Sequence, residues 1–384
     1  MARAFGVPMV VAAGDDLLGL ADTELIVDGD VGDVVAAPER ATLERARNEI
    51  AQRKRRSKEL ERSRGLPAKT TDGVSIRLLC NAATAAEVDA GLRAGADGVG
   101  LLRTELAFLE ARAWPSEDEH VAALAAPLRR LHGRIATVRT FDFGADKTPP
   151  FLEGEPRRGL TLALAHPDAL AAQLRAILRA GAGTELRVLL PLVETPAQLR
   201  RVRVLLLEAM QAVGWVGLPP ALGAMIETPD AARHALDIAL EADFLSIGTN
   251  DLVQYTLGLD RELPVASAQT AADPAVLSLV AAVTAAAAGA GLEVEVCGEA
   301  AGEPPLAALF VGLGVRELSV SAARVDEVRA AVRSLDSVVA SRVARDAIDE
   351  HSADDAFRLG VLLLSGDAGE ERGEVLGGLD GVVA

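Results

Sequence analysis

The chain has 384 residues, of which half are hydrophobic, a quarter charged and only 3% aromatic. At about 150 residues per domain this length suggests two to three domains, with enough apolar side chain to bury a large core built mainly from Ala, Val and Leu. Fifty-six acidic against 39 basic residues give a net charge of −17, a field that repels nucleic acid and anionic membranes and argues against either as a partner. Two cysteines exclude a disulfide framework and a structural zinc site. The N-terminus carries no apolar run of signal-peptide length and no stretch is long enough to cross a bilayer, so a cytoplasmic globular protein is expected.

In chain order, residues 1–37 read as short strands, at 7–12 and 25–27, separated by Gly/Asp turns. From Pro38 to Arg64 the composition changes, and from Thr42 it is charged and free of Pro and Gly with widely spaced apolar residues, the pattern of a solvated linker helix that Gly65-Leu-Pro67 ends. Short apolar runs then alternate with helix-length segments. The predicted strands are 74–80, 98–102, 134–139, 186–190, 221–226, 244–247, 293–297 and 317–320. Eight such units in about 260 residues predict an α/β fold, a (β/α)8 TIM barrel. A doubly wound open sheet fits less well, because no Gly-rich dinucleotide fingerprint follows the first strand. Helix continues to about Leu364, and a Gly- and acid-rich tail over 365–384 is expected to be loose. The domain plan is therefore 1–37, a linker at 38–66, the barrel at 67–364 and the tail.

In a barrel of this kind, chemistry gathers at the C-terminal ends of the strands. There the sequence places Asn81, Arg103 to Glu105, Arg139 to Asp142, Glu227, Asn250-Asp251, Cys297 to Glu299 and Ser319 to Ser321. Converging arginine forks call for a multiply charged anion. Glu227 and Asp251 offer hard oxygens suited to Mg²⁺, and Cys297 could donate a proton. Arginines with Mg²⁺ suit charge developing on a phosphoryl group or an enolate. Read blandly, Cys297 is a small core residue and Glu227 flanks a helix start. Cys80 reads as core, and His120, His132, His166, His234 and His351 as structural or surface residues.

These rim segments are Gly95-Ala-Asp-Gly-Val-Gly-Leu-Leu-Arg103-Thr-Glu105-Leu106, Thr137-Val-Arg139-Thr-Phe-Asp142-Phe-Gly-Ala-Asp-Lys147 and Gly223-Ala-Met-Ile-Glu227-Thr-Pro229. They continue in Phe244-Leu-Ser-Ile-Gly-Thr-Asn250-Asp251-Leu-Val-Gln-Tyr-Thr-Leu-Gly-Leu-Asp260-Arg261 and Val296-Cys297-Gly-Glu-Ala-Ala-Gly302. Over residues 1–335 the chain resembles the phosphoenolpyruvate (PEP)-utilising enzymes, and most of all enzyme I of the bacterial sugar phosphotransferase system, the phosphoenolpyruvate–protein phosphotransferases. Pyruvate phosphate dikinase and PEP synthase share the barrel. The short interval from Arg103 to Arg139 and the Gln-Tyr-Thr-Leu context favour enzyme I.

The resemblance implies that Arg103, Arg139, Arg158, Asn250, Asp251 and Arg261 bind PEP. It also implies that Glu227 and Asp251 hold Mg²⁺, that Cys297 gives a proton to the enolate to form pyruvate, and that the barrel forms a homodimer. Three departures stand out: Ala145 in place of a glycine, Thr161 in place of an arginine, and Asp273 before Pro274. In the family a Thr-Ser-His motif carrying the phosphorylated histidine lies just upstream of a segment like Met1-Ala-Arg3, and a helical domain docks the phosphocarrier protein HPr. No Thr-Ser-His occurs in these 384 residues. The expectation is thus a PEP and Mg²⁺ half-site without the phosphohistidine, residues 1–37 resembling the tail of that domain. The alternatives are a non-catalytic PEP-binding or dimerisation module and, less in keeping with Asn250 to Arg261, a carbon–carbon lyase on the same barrel.

Overall fold

A computed structural model describes residues 8–10, 14, 20, 23–29, 32–144, 147–259 and 268–365. Half of the expected strand at 7–12 falls outside these residues, and residues 8–10 carry none. The tail from 366, Ala145 and Arg261 also lie outside them.

A two-stranded antiparallel ribbon, β1 (Leu25–Asp28) and β2 (Asp33–Ala36), leads into the helix α1 (Arg40–Glu61). The helix is exposed along most of its length, as its charge pattern predicts. Turns after it bring Arg64 to Asp326, an ion pair of 2.7 Å that ties the linker to the barrel.

The strands β3 (Arg77–Ala82), β4 (Gly98–Leu102), β5 (Ile135–Arg139), β6 (Glu185–Leu190), β7 (Ala221–Ile226), β8 (Phe244–Ile247), β9 (Val294–Val296) and β10 (Glu317–Val320) close into one parallel barrel in sequence order. All eight predicted strands are present, and one is displaced. Residues 74–76 are not part of β3. Thr70 and Val74 close a turn, Lys69 bridges Ser75 antiparallel, and Ile76 N–H donates to Ala68 O. An apolar run alone does not distinguish a hairpin leading into the barrel from the first residues of a wall strand. The other ends agree within one or two residues.

Alternation along the strands separates two cores. Leu78, Cys80, Val99, Ala136, Val138, Val188, Leu222, Ile247, Val296 and Leu318 face outward into the main cluster, under the surrounding helices. Leu101, Leu189, Met225, Phe244 and Cys297 form a separate cluster inside the barrel. The helices between strands are capped by their own sequence. Thr84 with Glu87 opens α2 (Ala85–Arg93), and Ser116 with Glu119 opens α3 (Glu117–Arg129) through reciprocal capping bonds. After β10, α12 (Val325–Ser334), α13 (Ser337–Ile348) and α14 (Ala353–Ser365) extend the helical layer, the last two packing on α11 (Pro304–Gly312).

Candidate active site

The polar rim is assembled from loops that leave the strand ends. At the end of β5, Arg139 is 5% exposed. Its Nη2 donates to Glu105 Oε1 at 2.7 Å and its Nη1 lies 3.1 Å from Asp142 Oδ2. Lys147 Nζ reaches the same Glu105 oxygen at 3.1 Å. Burial opposes the charge on Arg139, but Glu105, Asp142 and Glu227 outweigh it and raise its pKa, so it stays a cation. Burial likewise works against Glu105 as an anion, and Arg139 and Lys147 prevail to lower its pKa. A buried scaffold fixes the strand end: Thr104 Oγ1 donates to Arg139 O, Gln173 Nε2 to Thr104 Oγ1, and Gln173 Oε1 accepts from Phe141 N–H.

Arg158 begins the helix α4 (Gly159–Ala165) and leans over the same centre. Its Nη2 is 3.3 Å from Asp251 Oδ1 and its Nη1 donates to Tyr255 Oη at 3.0 Å. The Nε atoms of both Arg139 and Arg158 are buried without a hydrogen-bond partner among the described residues. Unsatisfied buried donors on two cations are costly unless an acceptor completes them. Arg103, half-buried just after β4, has no ion-pair partner among the described residues, and its backbone N–H donates to Ala82 O.

Glu227 follows β7 and is 3% exposed. Leu192, held at φ +49°, donates its N–H to Glu227 Oε2 at 2.9 Å. Gly248 leaves room for this carboxylate, since a Cβ there would come within 2.6 Å of Oε1. Burial first, then the neighbouring Asp142 and Asp251, push the Glu227 pKa well up. Asp251, in the first turn of α9 (Thr249–Leu257), is buried, while Asn250 beside it is exposed and accepts from Glu299 N–H at 3.0 Å. The charges of Asp142 and Asp251 thus act on the buried Glu227, and a cation beside it would offset them. Hard oxygens from Glu227 and Asp251 fit Mg²⁺, which commonly takes one or two carboxylates and completes its shell with water and substrate oxygens. Among the described residues no group of three or more His, Cys, Asp or Glu is placed to hold a metal ion by itself.

Cys297 stands immediately after β9, 3% exposed. Burial chiefly, with Glu295 adding to it, pushes its thiol up to about 12, so the sulfur keeps its proton. Cys80 lies in the outer core, away from the rim. His132, His234 and His351 are exposed; His120 and His166 join an aromatic cluster with Phe108, Phe141 and Trp114. Of the departures, Thr161 is exposed and accepts from Gln198, and Asp273 caps α10 (Pro274–Gly289) by accepting from Ala275 N–H.

Arg139, Arg158, Glu227 and Asp251 are thus linked through shared partners, and Cys297 feels the charges of Glu227 and Arg139. Sequence reading had Glu105 and Asp142 at strand ends without assigning them a role, and passed over Lys147 inside a quoted segment. Their signal was charge next to arginine in an otherwise apolar context. The Leu192 N–H has no sequence signal.

Comparison with known proteins follows the same line. Residues 57–337 match the family described as PEP-utilising enzyme, PEP-binding domain. The multiphosphoryl transfer protein of Rhodobacter capsulatus is 41% identical over 342 residues, covering 87% of this chain and 41% of that protein. Phosphoenolpyruvate-protein phosphotransferases of Haloferax volcanii and Streptomyces coelicolor are 40% and 39% identical over 89% and 96% of this chain, and 62% and 66% of their own lengths. The chain therefore spans only about 41 to 66% of these curated relatives. Among solved structures, a citrate lyase from Burkholderia xenovorans is similar over 81% of this chain and 96% of that one, at 17% identity and a TM-score of 0.46, a likeness too slight to carry an argument. By its match over residues 57–337, this chain belongs to the PEP-utilising enzyme family, through that family's PEP-binding domain.

Proposed function

We propose that this chain is the PEP-binding, Mg²⁺-dependent catalytic half of a phosphoenolpyruvate–protein phosphotransferase, passing the phosphoryl group of PEP to a protein histidine and releasing pyruvate. The observation that carries this reading is a pair of arginines, the buried Arg139 and the half-buried Arg158, whose buried Nε donors lack acceptors among the described residues, beside the carboxylates of Glu227 and Asp251. A doubly anionic substrate would complete those donors.

In this reading Arg103, Arg139, Arg158 and Arg261, with Asn250, bind the phosphate and carboxylate of PEP, and Asp251 contacts the substrate through the metal it would share with Glu227. Glu227 and Asp251 would hold Mg²⁺, which when bound supplies neutralisation of the charge on the transferring group and the enolate. The P–O bond breaks as the histidine nitrogen bonds phosphorus, and the electron pair stays with the enolate of pyruvate. The enolate's methylene carbon takes the proton of Cys297, forming C–H as S–H breaks and leaving a thiolate. The high thiol pKa supports that role, because the donor must be protonated at the start. The same reading takes residues 1–37 as the end of a phosphohistidine domain, 38–66 as its linker and 67–364 as the catalytic barrel. It also implies sugar transport through HPr, a homodimer formed through the barrel and a cytoplasmic location. No helix among the described residues is long and apolar enough to cross a membrane.

Titration calorimetry with PEP, in Mg²⁺ and again in EDTA, tests the reading. Tight binding is expected only with the divalent ion, since Glu227 and Asp251 otherwise repel the substrate. Equal affinity in both would remove the metal role, and no binding in either would remove PEP as the substrate.

A further inference from the structure

Beneath the rim, inside the barrel, lies a carboxyl group that the reaction above does not use. Glu295 on β9 alternates with the outward-facing Val294 and Val296, is 1% exposed, and sits one inward position below Cys297. Gly100 on β4 makes the space, because a Cβ there would overlap Glu295 Oε1. The groups acting on the carboxyl are the hydroxyls of Ser246 on β8 and Ser319 on β10, and the Arg187 guanidinium from β6. Cys297, its neighbour on β9, in turn feels Glu227 from β7 and Arg139 from β5.

Each serine has one hydrogen to give and, besides Glu295, a second partner within reach. Ser246 Oγ donates to Cys297 Sγ at 3.3 Å, and Ser319 Oγ donates to Asn81 Oδ1 at 2.7 Å. Asn81 Nδ2 then donates to the Cys297 carbonyl at 3.0 Å. The same two hydroxyls are close enough to hydrogen-bond the Glu295 carboxylate when turned toward it, yet with their hydrogens given to Cys297 and Asn81 the Glu295 oxygens have no aligned donor among the described residues. This polarity suits a protonated carboxyl, which can itself donate to a serine oxygen. An ionised carboxylate needs a donor and draws the Ser246 hydrogen to itself. Ser246 Oγ would then face the thiol as an acceptor and take the S–H bond downward. With Ser246 donating instead, the thiol hydrogen is free of that serine, its only other acceptor among the described residues being the distant Ile247 carbonyl at 3.8 Å.

We propose that Glu295 is a positioning residue for the transferable proton: through Ser246 Oγ, its protonation state sets whether the Cys297 S–H points toward the rim or down into the barrel. This rests on Cys297 being the proton donor, but the geometric coupling can be tested without substrate. Burial pushes the Glu295 pKa up to about 8, so the change of state falls in an accessible range.

Infrared spectroscopy of the chain reads both partners, the S–H stretch of Cys297, assigned by its loss in Cys297→Ala, and the carboxyl C=O stretch, assigned by Glu295→Gln. As pH rises, the S–H band is expected to move to lower frequency, in step with loss of the carboxyl band. In Glu295→Gln and in Ser246→Ala it should stay fixed. An S–H band that does not move in the unaltered chain, or that moves equally in Ser246→Ala, overturns the proposal. A second arm follows deuterium entry into the methyl group of pyruvate in D₂O with Mg²⁺. The rate should fall as pH rises through the same transition and become flat in Glu295→Gln. Exchange that persists in Cys297→Ala would overturn the role of Cys297 itself and leave the infrared bands to decide the coupling.

Discussion

At the floor of the barrel, Glu317 on β10 is held between Arg77 on β3 and Arg187 on β6, the latter at 2.9 Å. Arg187 also stacks over the Phe244 ring, 5.5 Å from its centroid, and Arg77 reaches Glu293 at 3.2 Å. Opposite, at the rim, Arg139 and Arg158 engage Glu105, Asp142 and Asp251, yet each keeps a buried Nε without an acceptor, and Glu227 is crowded by like charge. Both ends bury charge, which is expensive unless fully paired. At the floor Glu317 is paired on two sides within the chain, and the cluster acts as a plug. The rim leaves them incompletely satisfied, and that residual demand is what a small dianion and a divalent cation would meet.

The largest effect expected of this difference is on ligand binding. Arg139→Ala removes two charge-assisted donors from the rim and should weaken PEP binding by about 4 kcal/mol, on the order of 1,000-fold in Kd by calorimetry. If Arg139→Ala bound PEP as tightly as the parent, the rim arginine would be as structural as the floor one, and the contrast would fail.

His120 offers a different buried site, an ionisable group with no ion pair among the described residues. It is fully buried against Phe108 and Phe141, and burial pushes its pKa down to about 4. Its unfolded value is about 6.5, so on acidification the unfolded chain takes the proton first. Its contribution leaves stability unaffected above about pH 6.5 and lowers it progressively toward pH 4, by about 3 kcal/mol in all. Denaturant melts across that range should show this slope, and His120→Phe should lose it. An unchanged slope in the variant would assign the acid sensitivity to other groups.

Arg187→Met is expected to cost less, about 2 kcal/mol of folding stability, because Arg77 remains to pair with Glu317. Its informative readout is the second one: PEP affinity should be unchanged. A loss of affinity comparable to that of Arg139→Ala would show that floor and rim are coupled through the barrel interior.

The barrel was legible because each strand is a short apolar run bounded by Gly or polar residues, and parallel strands buried on both faces carry that pattern. The rim residues were legible for a related reason. In a strand-then-loop reading, Arg139, Glu227 and Cys297 fall where apolar residues stop, and on this architecture that is one end of the barrel. The entry to the barrel was less legible: residues 74–76 look like wall strand, and their bonds back to Ala68, Lys69 and Thr70 make them a hairpin. Glu295 was hidden altogether. Between two valines it looks like the polar side of a half-exposed strand, and in a closed barrel there is no solvent face.

The linear order of residues by itself determined the element type, the number of strands and which side chains reach the rim, because those follow from periodicity and from local capping. Which charges would be completed was decided only in three dimensions. Glu105 meets Arg139 across 34 positions, Arg158 meets Asp251 across 93, and Ser246 meets Cys297 across 51. Such pairings depend on barrel closure and register. The free energy of a buried charge or hydroxyl is set by whatever atom lies within about 3 Å of it, however far away that atom is along the chain.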